Sequence, residues 1–122
     1  MLDLFAGCGG LEDGFMQSGK YEDIAAVEWL QPQVQTLTYR LKTKWNITDA
    51  DERVMCFDIQ KEDELFNGWS DESTAPSSEI LPNGKKSRYK TGPYGRAKGL
   101  DYFVNDAGGI HIIIGGPPCQ AY

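Results

Sequence analysis

Met1-Leu2-Asp3-Leu4-Phe5 is a short apolar run that breaks into Ala6-Gly7-Cys8-Gly9-Gly10. It predicts a strand running into a glycine turn. Leu11–Gln17 follows as a short helix, with Leu11 and Phe15 four apart on one face. Ile24–Val27 is the next strand, closed by Glu28. Pro32 suits a first helical turn, and Val34, Leu37, Leu41 and Trp45 fall at helical spacing, so Pro32–Trp45 is a helix. Val54–Phe57 is a third strand ending at Asp58, and Asp63–Phe66 a helical turn. Asp101–Asp106 is a short helix, and Ile110–Ile114 a buried strand running into Gly115-Gly116-Pro117-Pro118-Cys119. Strands alternating with helices predict βαβ crossovers: an α/β fold with a mostly parallel sheet covered on its faces. Between Asn67 and Leu100 periodicity disappears, and Ser, Gly, Pro and charges accumulate. That stretch reads as a loop insertion of the length that is often functional.

The chain has 122 residues, one domain by length. Hydrophobic residues make up 40% and aromatic residues 11%, which excludes full disorder. Its apolar runs are too short to span a membrane, and no basic leader precedes an apolar stretch. Cys8, Cys56 and Cys119 are an odd set without CxxC spacing, so neither a disulfide framework nor a metal site is expected. Cys8 and Cys56 read as small buried hydrophobes. His111 reads as structural, inside its strand. A reducing compartment, such as the cytoplasm, fits this cysteine usage.

Net charge is −6, against a general nucleic-acid-binding module. The distribution is uneven. Residues 1–82 hold six basic and 16 acidic side chains, whereas 83–100 hold Lys85, Lys86, Arg88, Lys90, Arg96 and Lys98 and no acid. Tyr89 and Tyr94 stand among those cations. The segment reads either as a solvated surface loop or as a contact for nucleic-acid phosphates.

Candidate functional residues stand at the C-terminal ends of four strands, the edge where open α/β sheets bind ligands. Gly7 and Gly9 permit a tight turn and close approach by a ligand, although the same pair serves ordinary strand-to-helix turns. A dinucleotide fingerprint wants glycine where Glu12 stands, and Glu12 with Asp13 would repel a diphosphate at the helix start. Glu28 is placed to accept bonds from both hydroxyls of a ribose, and Trp29 offers a flat face to a purine; alone, they read as a helix-entry acid and a half-buried aromatic. Asp58 suits an adenine amine and Ile59 the ring, or Asp58 is a turn residue. Together they describe an adenosine pocket without a phosphate cradle, and S-adenosylmethionine is such a ligand. Pro117 and Pro118 stiffen the loop that presents Cys119, a candidate nucleophile.

DLFAGCGG (Asp3–Gly10) resembles the first motif of the C5-cytosine DNA methyltransferases, and GGPPCQAY (Gly115–Tyr122) resembles their Pro-Cys-Gln motif. Glu28-Trp29 and Asp58 match the second and third cofactor motifs in order and placement. The resemblance covers Met1–Asp58 and Ile110–Tyr122. It implies a Rossmann-like methyltransferase fold, represented here by the N-terminal part of a catalytic domain, with 67–100 inserted and the target-recognition domain absent. It also implies that Phe5, Gly7, Gly9, Glu28, Trp29, Asp58 and Ile59 bind S-adenosylmethionine. Pro118 and Cys119 would belong to the catalytic loop, with Cys119 attacking C6 of a cytosine flipped out of duplex DNA. The piece alone is expected to be inactive, needing the C-terminal half for DNA recognition. An RNA cytosine-5 methyltransferase of the same family and a non-catalytic S-adenosylmethionine-binding module are the alternatives.

Overall fold

The computed structural model describes residues 1–69, 77–93 and 98–117. The Met1-to-Phe5 run becomes β1 (Leu2–Leu4), and the glycine turn leads into α1 (Gly10–Gln17). Then come β2 (Ala25–Glu28), α2 (Gln31–Lys44), the single turn α3 (Ala50–Arg53), β3 (Val54–Cys56) and α4 (Glu62–Asn67). A hairpin of β4 (Ser77–Ile80) and β5 (Lys86–Thr91) precedes α5 (Leu100–Asp106) and β6 (Ile113–Gly115).

Four strands form a parallel sheet in the order β3-β2-β1-β6. The register pairs Leu2 with Ala25 and Ile113, and Leu4 with Val27 and Gly115. Strand alternation splits the core between the two faces. Met1, Ala26, Val54 and Ile114 pack with Met16, Leu37 and Leu41, under α1 and α2. Leu2, Ala25, Val27 and Met55 pack with Leu65, Leu100 and Phe103, under α4 and α5. Small alanines at the centre of β2, fully buried, let helices approach both faces. Leu37 and Leu41 are each 1% exposed, as the period in α2 requires. On α1, Met16 and Glu12 point inward and Leu11 is left exposed, so its inward face is turned from the expected Leu11–Phe15 line.

The 67–100 stretch departs most from its reading as a loop, because 77–91 carry an antiparallel two-stranded sheet. Its strands, SSEI and KSRYKT, show no apolar alternation. They are held by backbone pairing and by an Asn83-Gly84 turn, with Gly84 at φ 76°. The hairpin foot docks on the sheet. Thr91 bridges to Leu30, and Gly92 donates its N–H to the Trp29 carbonyl at 2.6 Å. Gly92 lies so close to the Cys56 carbonyl that a Cβ there would stand 2.5 Å from the oxygen.

The Ile110–Ile114 strand is also shorter and less buried than expected. Among the described residues β6 pairs on one side only, so Ile113 is 58% exposed while Ile114 is buried. His111 is exposed ahead of the strand rather than inside it.

Candidate functional site

The chain leaves β1 through strained backbone. Phe5 takes φ 64°, Gly7 57° and Gly9 81°, and the left-handed region costs a non-glycine residue roughly 1–2 kcal/mol. The Ala6 N–H donates to the Val27 carbonyl at 3.0 Å and the Gly9 N–H to the Ala6 carbonyl at 2.9 Å. These bonds fold the turn back over the end of β2.

Glu28 then ties two loops together. Its Oε2 accepts the Gly7 N–H at 2.8 Å. Its Oε1 accepts the N–H groups of Trp29 at 2.7 Å and Leu30 at 2.9 Å. A carboxylate has about four acceptor positions. The three N–H bonds therefore leave room for one ribose hydroxyl at Oε2, and a second must displace an N–H from Oε1. Glu28 thus organises the site as well as facing it. Trp29 is 37% exposed and Phe5 38%, so both offer aromatic surface. Asp58 accepts the Gln60 N–H at 3.0 Å, closing its own turn, and Ile59 is half-buried against the core. The Gly7 backbone is open: no atom stands within 4 Å of where its Cβ would be. Exposed aromatic faces, two acids and a bare backbone turn suit an adenosine-bearing ligand.

The structure weakens one argument against a diphosphate. Glu12 is 1% exposed, and burial, reinforced by Asp23 and Asp3, pushes its carboxyl up to about 9. It is therefore uncharged near neutrality. Asp13 is held by Lys44 at 2.7 Å, Trp45 and Gln17, which lower its pKa. The missing third glycine, rather than repulsion, is what remains against a dinucleotide.

The strand order puts the segment that follows β6 beside this turn. β1, β2 and β3 step to one side, whereas β6 returns to the other side of β1. The chain thus changes direction between β1 and β6, the crevice where such sheets bind ligands. Leu4 and Gly115 are register partners there. A Cβ on Gly115 would lie 2.2 Å from the Leu4 carbonyl oxygen, so glycine is what lets the two loops leave side by side. Gly116 and Pro117 follow, exposed; Pro118 and Cys119 lie outside the described residues, as does Arg96.

The other two cysteines separate. Cys56 is buried, its thiol pushed up to about 12 by burial and Glu28, and it donates to the Trp29 carbonyl. Cys8 is exposed, against the expectation of a buried hydrophobe, because it lies in the glycine turn between β1 and α1, outside both packed faces of the sheet. The basic residues also separate. Lys85, Lys86, Arg88 and Lys90 lie on the hairpin. Lys98 sits across the domain, paired with Glu52 in a cleft of about 240 Å³ lined by Asp23, Asp49, Arg53 and Tyr102.

Sequence reasoning missed several supporting residues. Arg40 of α2 donates to the Cys8 carbonyl at 3.2 Å and steadies the turn, a contact between elements far apart in sequence that spacing does not reveal. Asp3, Glu12 and Asp23 form a buried acidic group beneath α1, with burial pushing Asp3 up to about 6. Nothing in the sequence pattern separates these from solvated acids. Among the described residues no group of three His, Cys, Asp or Glu is arranged for a metal, and no helix is long and apolar enough to cross a membrane.

A model of the C-5 cytosine-specific DNA methylase family matches residues 1–69. The chain is 29% identical over 121 residues to the DNA (cytosine-5)-methyltransferase PliMCI of Paracentrotus lividus, an alignment covering 99% of this chain and 6% of that protein. It is 26% identical over 121 residues to DNA (cytosine-5)-methyltransferase 1 of Gallus gallus, with the same coverage. It is 54% identical over 35 residues to the type II methyltransferase M.HgiDI of Herpetosiphon aurantiacus, covering 29% of this chain and 11% of that one. The chain thus spans a small part of the relatives it matches. No solved structure matches it.

Proposed function

Since the chain belongs to the family of C-5 cytosine-specific DNA methylases, we propose that it forms the cofactor-binding and nucleophile-bearing part of an enzyme that methylates C5 of cytosine in DNA. The observation that carries this reading is the strand order β3-β2-β1-β6, with Leu4 opposite Gly115. It brings the glycine turn and the segment Gly115–Pro117, which precedes Pro118 and Cys119 in the chain, out of the sheet at one crevice.

Phe5, Gly7, Gly9, Glu28, Trp29, Asp58 and Ile59 would hold S-adenosylmethionine, which when bound supplies an electrophilic methyl group. The chain's own part is nucleophilic. C5 of cytosine is a poor nucleophile until a thiolate adds to C6. In this reading Cys119 forms that Sγ–C6 bond to a base flipped out of the duplex, leaving C5 electron-rich. Loss of the C5 proton after methylation then breaks the Sγ–C6 bond and frees the enzyme. Pro118 restricts the loop, so the thiol is presented in one orientation. Residues 1–122 are then part of one catalytic domain, 67–100 an insertion in it, and DNA recognition falls to elements elsewhere in the enzyme. Such an enzyme works in the compartment that holds its DNA.

The full-length enzyme is mixed with S-adenosylmethionine and duplex DNA containing 5-fluorocytosine, whose C5 cannot lose a proton. A covalent protein–DNA adduct is expected, and none with Cys119→Ser. No adduct, or one that survives Cys119→Ser, overturns the reading.

A further inference from the structure

The β4–β5 hairpin presents two unlike faces. Thr91 is 1% exposed and bridges to Leu30, so its face of β5 looks at the domain. Alternation along the strand turns Lys90, Arg88 and Lys86 the other way. The pairing supports this parity. Ser78 pairs with Lys90 and Ile80 with Lys86, and Ile80 is 63% exposed. The irregularity between those pairs gives β5 four steps to two in β4, an even difference, so Lys86 and Lys90 stay on one face. The row is spaced by two residues, roughly 7 Å per step. Lys85 extends it into the turn, where its N–H donates to Asn83.

Among the described residues no acid pairs with these cations. Elsewhere the pattern differs: Lys42 pairs with Asp51, Lys44 with Asp13, Arg53 with Asp49 and Lys98 with Glu52. In a chain of net charge −6, acids outnumber bases, and these ion pairs all take cations from outside this row. Arg88 lies over the ring of half-exposed Tyr89, 4.8 Å from its centroid, and keeps its charge at the surface. The hairpin foot is bonded to the Trp29 carbonyl, and Gly92 is seated on the Cys56 carbonyl. That is the same sheet edge as the glycine turn and the exit of β6.

We propose that this outward face, Lys86, Arg88 and Lys90 with Lys85 at its tip, docks the phosphate backbone of duplex DNA beside the cofactor edge. The proposal rests on the function proposed above. Neutralising phosphates releases counterions, so each contact contributes about 0.9 to the slope of log affinity against log salt. The surface carries no base-reading geometry of its own, so its contribution is independent of sequence.

The test measures binding of the full-length enzyme to two unrelated duplexes over a range of salt concentrations. The variant is Lys86→Gln/Arg88→Gln/Lys90→Gln, all at exposed positions. The slope is expected to fall by about 3 on both duplexes. Each single substitution should lower it by about 1, and Lys98→Gln, on the opposite edge, should leave it unchanged. Calorimetric binding of S-adenosylmethionine without DNA should match the wild type and shows that the variant is folded. An unchanged slope in the triple variant, or an equal fall with Lys98→Gln, overturns the proposal. Because wild-type adduct formation at Cys119 is scored separately, failure of the docking surface and failure of the proposed function are told apart.

Discussion

Replacing Gly115 by alanine adds one methyl group where the sheet has no room for it. The new Cβ would lie 2.2 Å from the carbonyl oxygen of Leu4, about 1.2 Å short of the 3.4 Å at which ordinary contact begins. Neither side can give easily. The oxygen belongs to the backbone of β1, whose next residues are Phe5 at φ 64° and the turn that Glu28 holds. Relief requires β6 to move from β1 by on the order of 1 Å, at about 1–3 kcal/mol of stability. The same shift carries Gly116 and Pro117 away from the glycine turn, and with them the start of the segment that the proposed function assigns to the nucleophile. A misplacement of about 1 Å costs on the order of a hundredfold in rate. The assay is single-turnover methyl transfer by the full-length enzyme, alongside calorimetric binding of S-adenosylmethionine. Turnover of Gly115→Ala should fall roughly a hundredfold while cofactor affinity, which the proposed function assigns to the ends of β1, β2 and β3, changes far less. Gly116→Ala is the control, because nothing stands within 4 Å of that Cβ. Wild-type rates in Gly115→Ala, or equal damage in Gly116→Ala, would refute the packing argument.

Glu28→Gln replaces one acceptor oxygen by a donor, so at least one of the three N–H groups on it loses its partner. That costs about 1.5–3 kcal/mol and should weaken S-adenosylmethionine binding by on the order of tenfold or more, read by calorimetry. Stability should also depend on pH through the buried acids. Glu12 is pushed from 4.5 to about 9, chiefly by burial, so between those values the folded state holds a proton that the unfolded chain releases. Its stabilising effect is complete below pH 4.5 and is lost as pH rises toward 9, by about 1.4 kcal/mol per pH unit. Denaturant unfolding at several pH values reads this slope, which Glu12→Gln should flatten. A thiol reagent applied to the native enzyme should label exposed Cys8 and spare buried Cys56, whose thiol is pushed up to about 12, with mass spectrometry locating the label.

Strongly patterned parts of the fold were readable from the sequence. The spacing of Val34, Leu37 and Leu41 places α2, and the apolar runs at Leu2–Leu4, Ala25–Val27 and Val54–Cys56 place three strands of the sheet. Periodicity fails for the hairpin because it is not built on a core: KSRYKT alternates between a docked face and a solvated one without apolar residues to mark them. Its available sign was Asn83-Gly84, a turn pair that favours hairpins. At the site, residue types at strand ends were enough to place Gly7, Glu28 and Asp58 on one edge. The bonds that spend Glu28 on Gly7, Trp29 and Leu30 depend on how β1 and β2 come together and leave no trace in spacing. Arg40 and Gly92 are the same case, since each acts across a contact between elements far apart in sequence.

The central claim is that the crevice between β1 and β6 is where cofactor and nucleophile meet. A crystal structure of the full-length enzyme with S-adenosylhomocysteine and duplex DNA trapped at 5-fluorocytosine tests it most directly. The account predicts the adenosine on the Phe5–Gly9 turn with its ribose at Glu28, and Cys119 Sγ bonded to C6 of the flipped base beside it. An adenosine seated away from Glu28, or a base bonded to another residue, would contradict it.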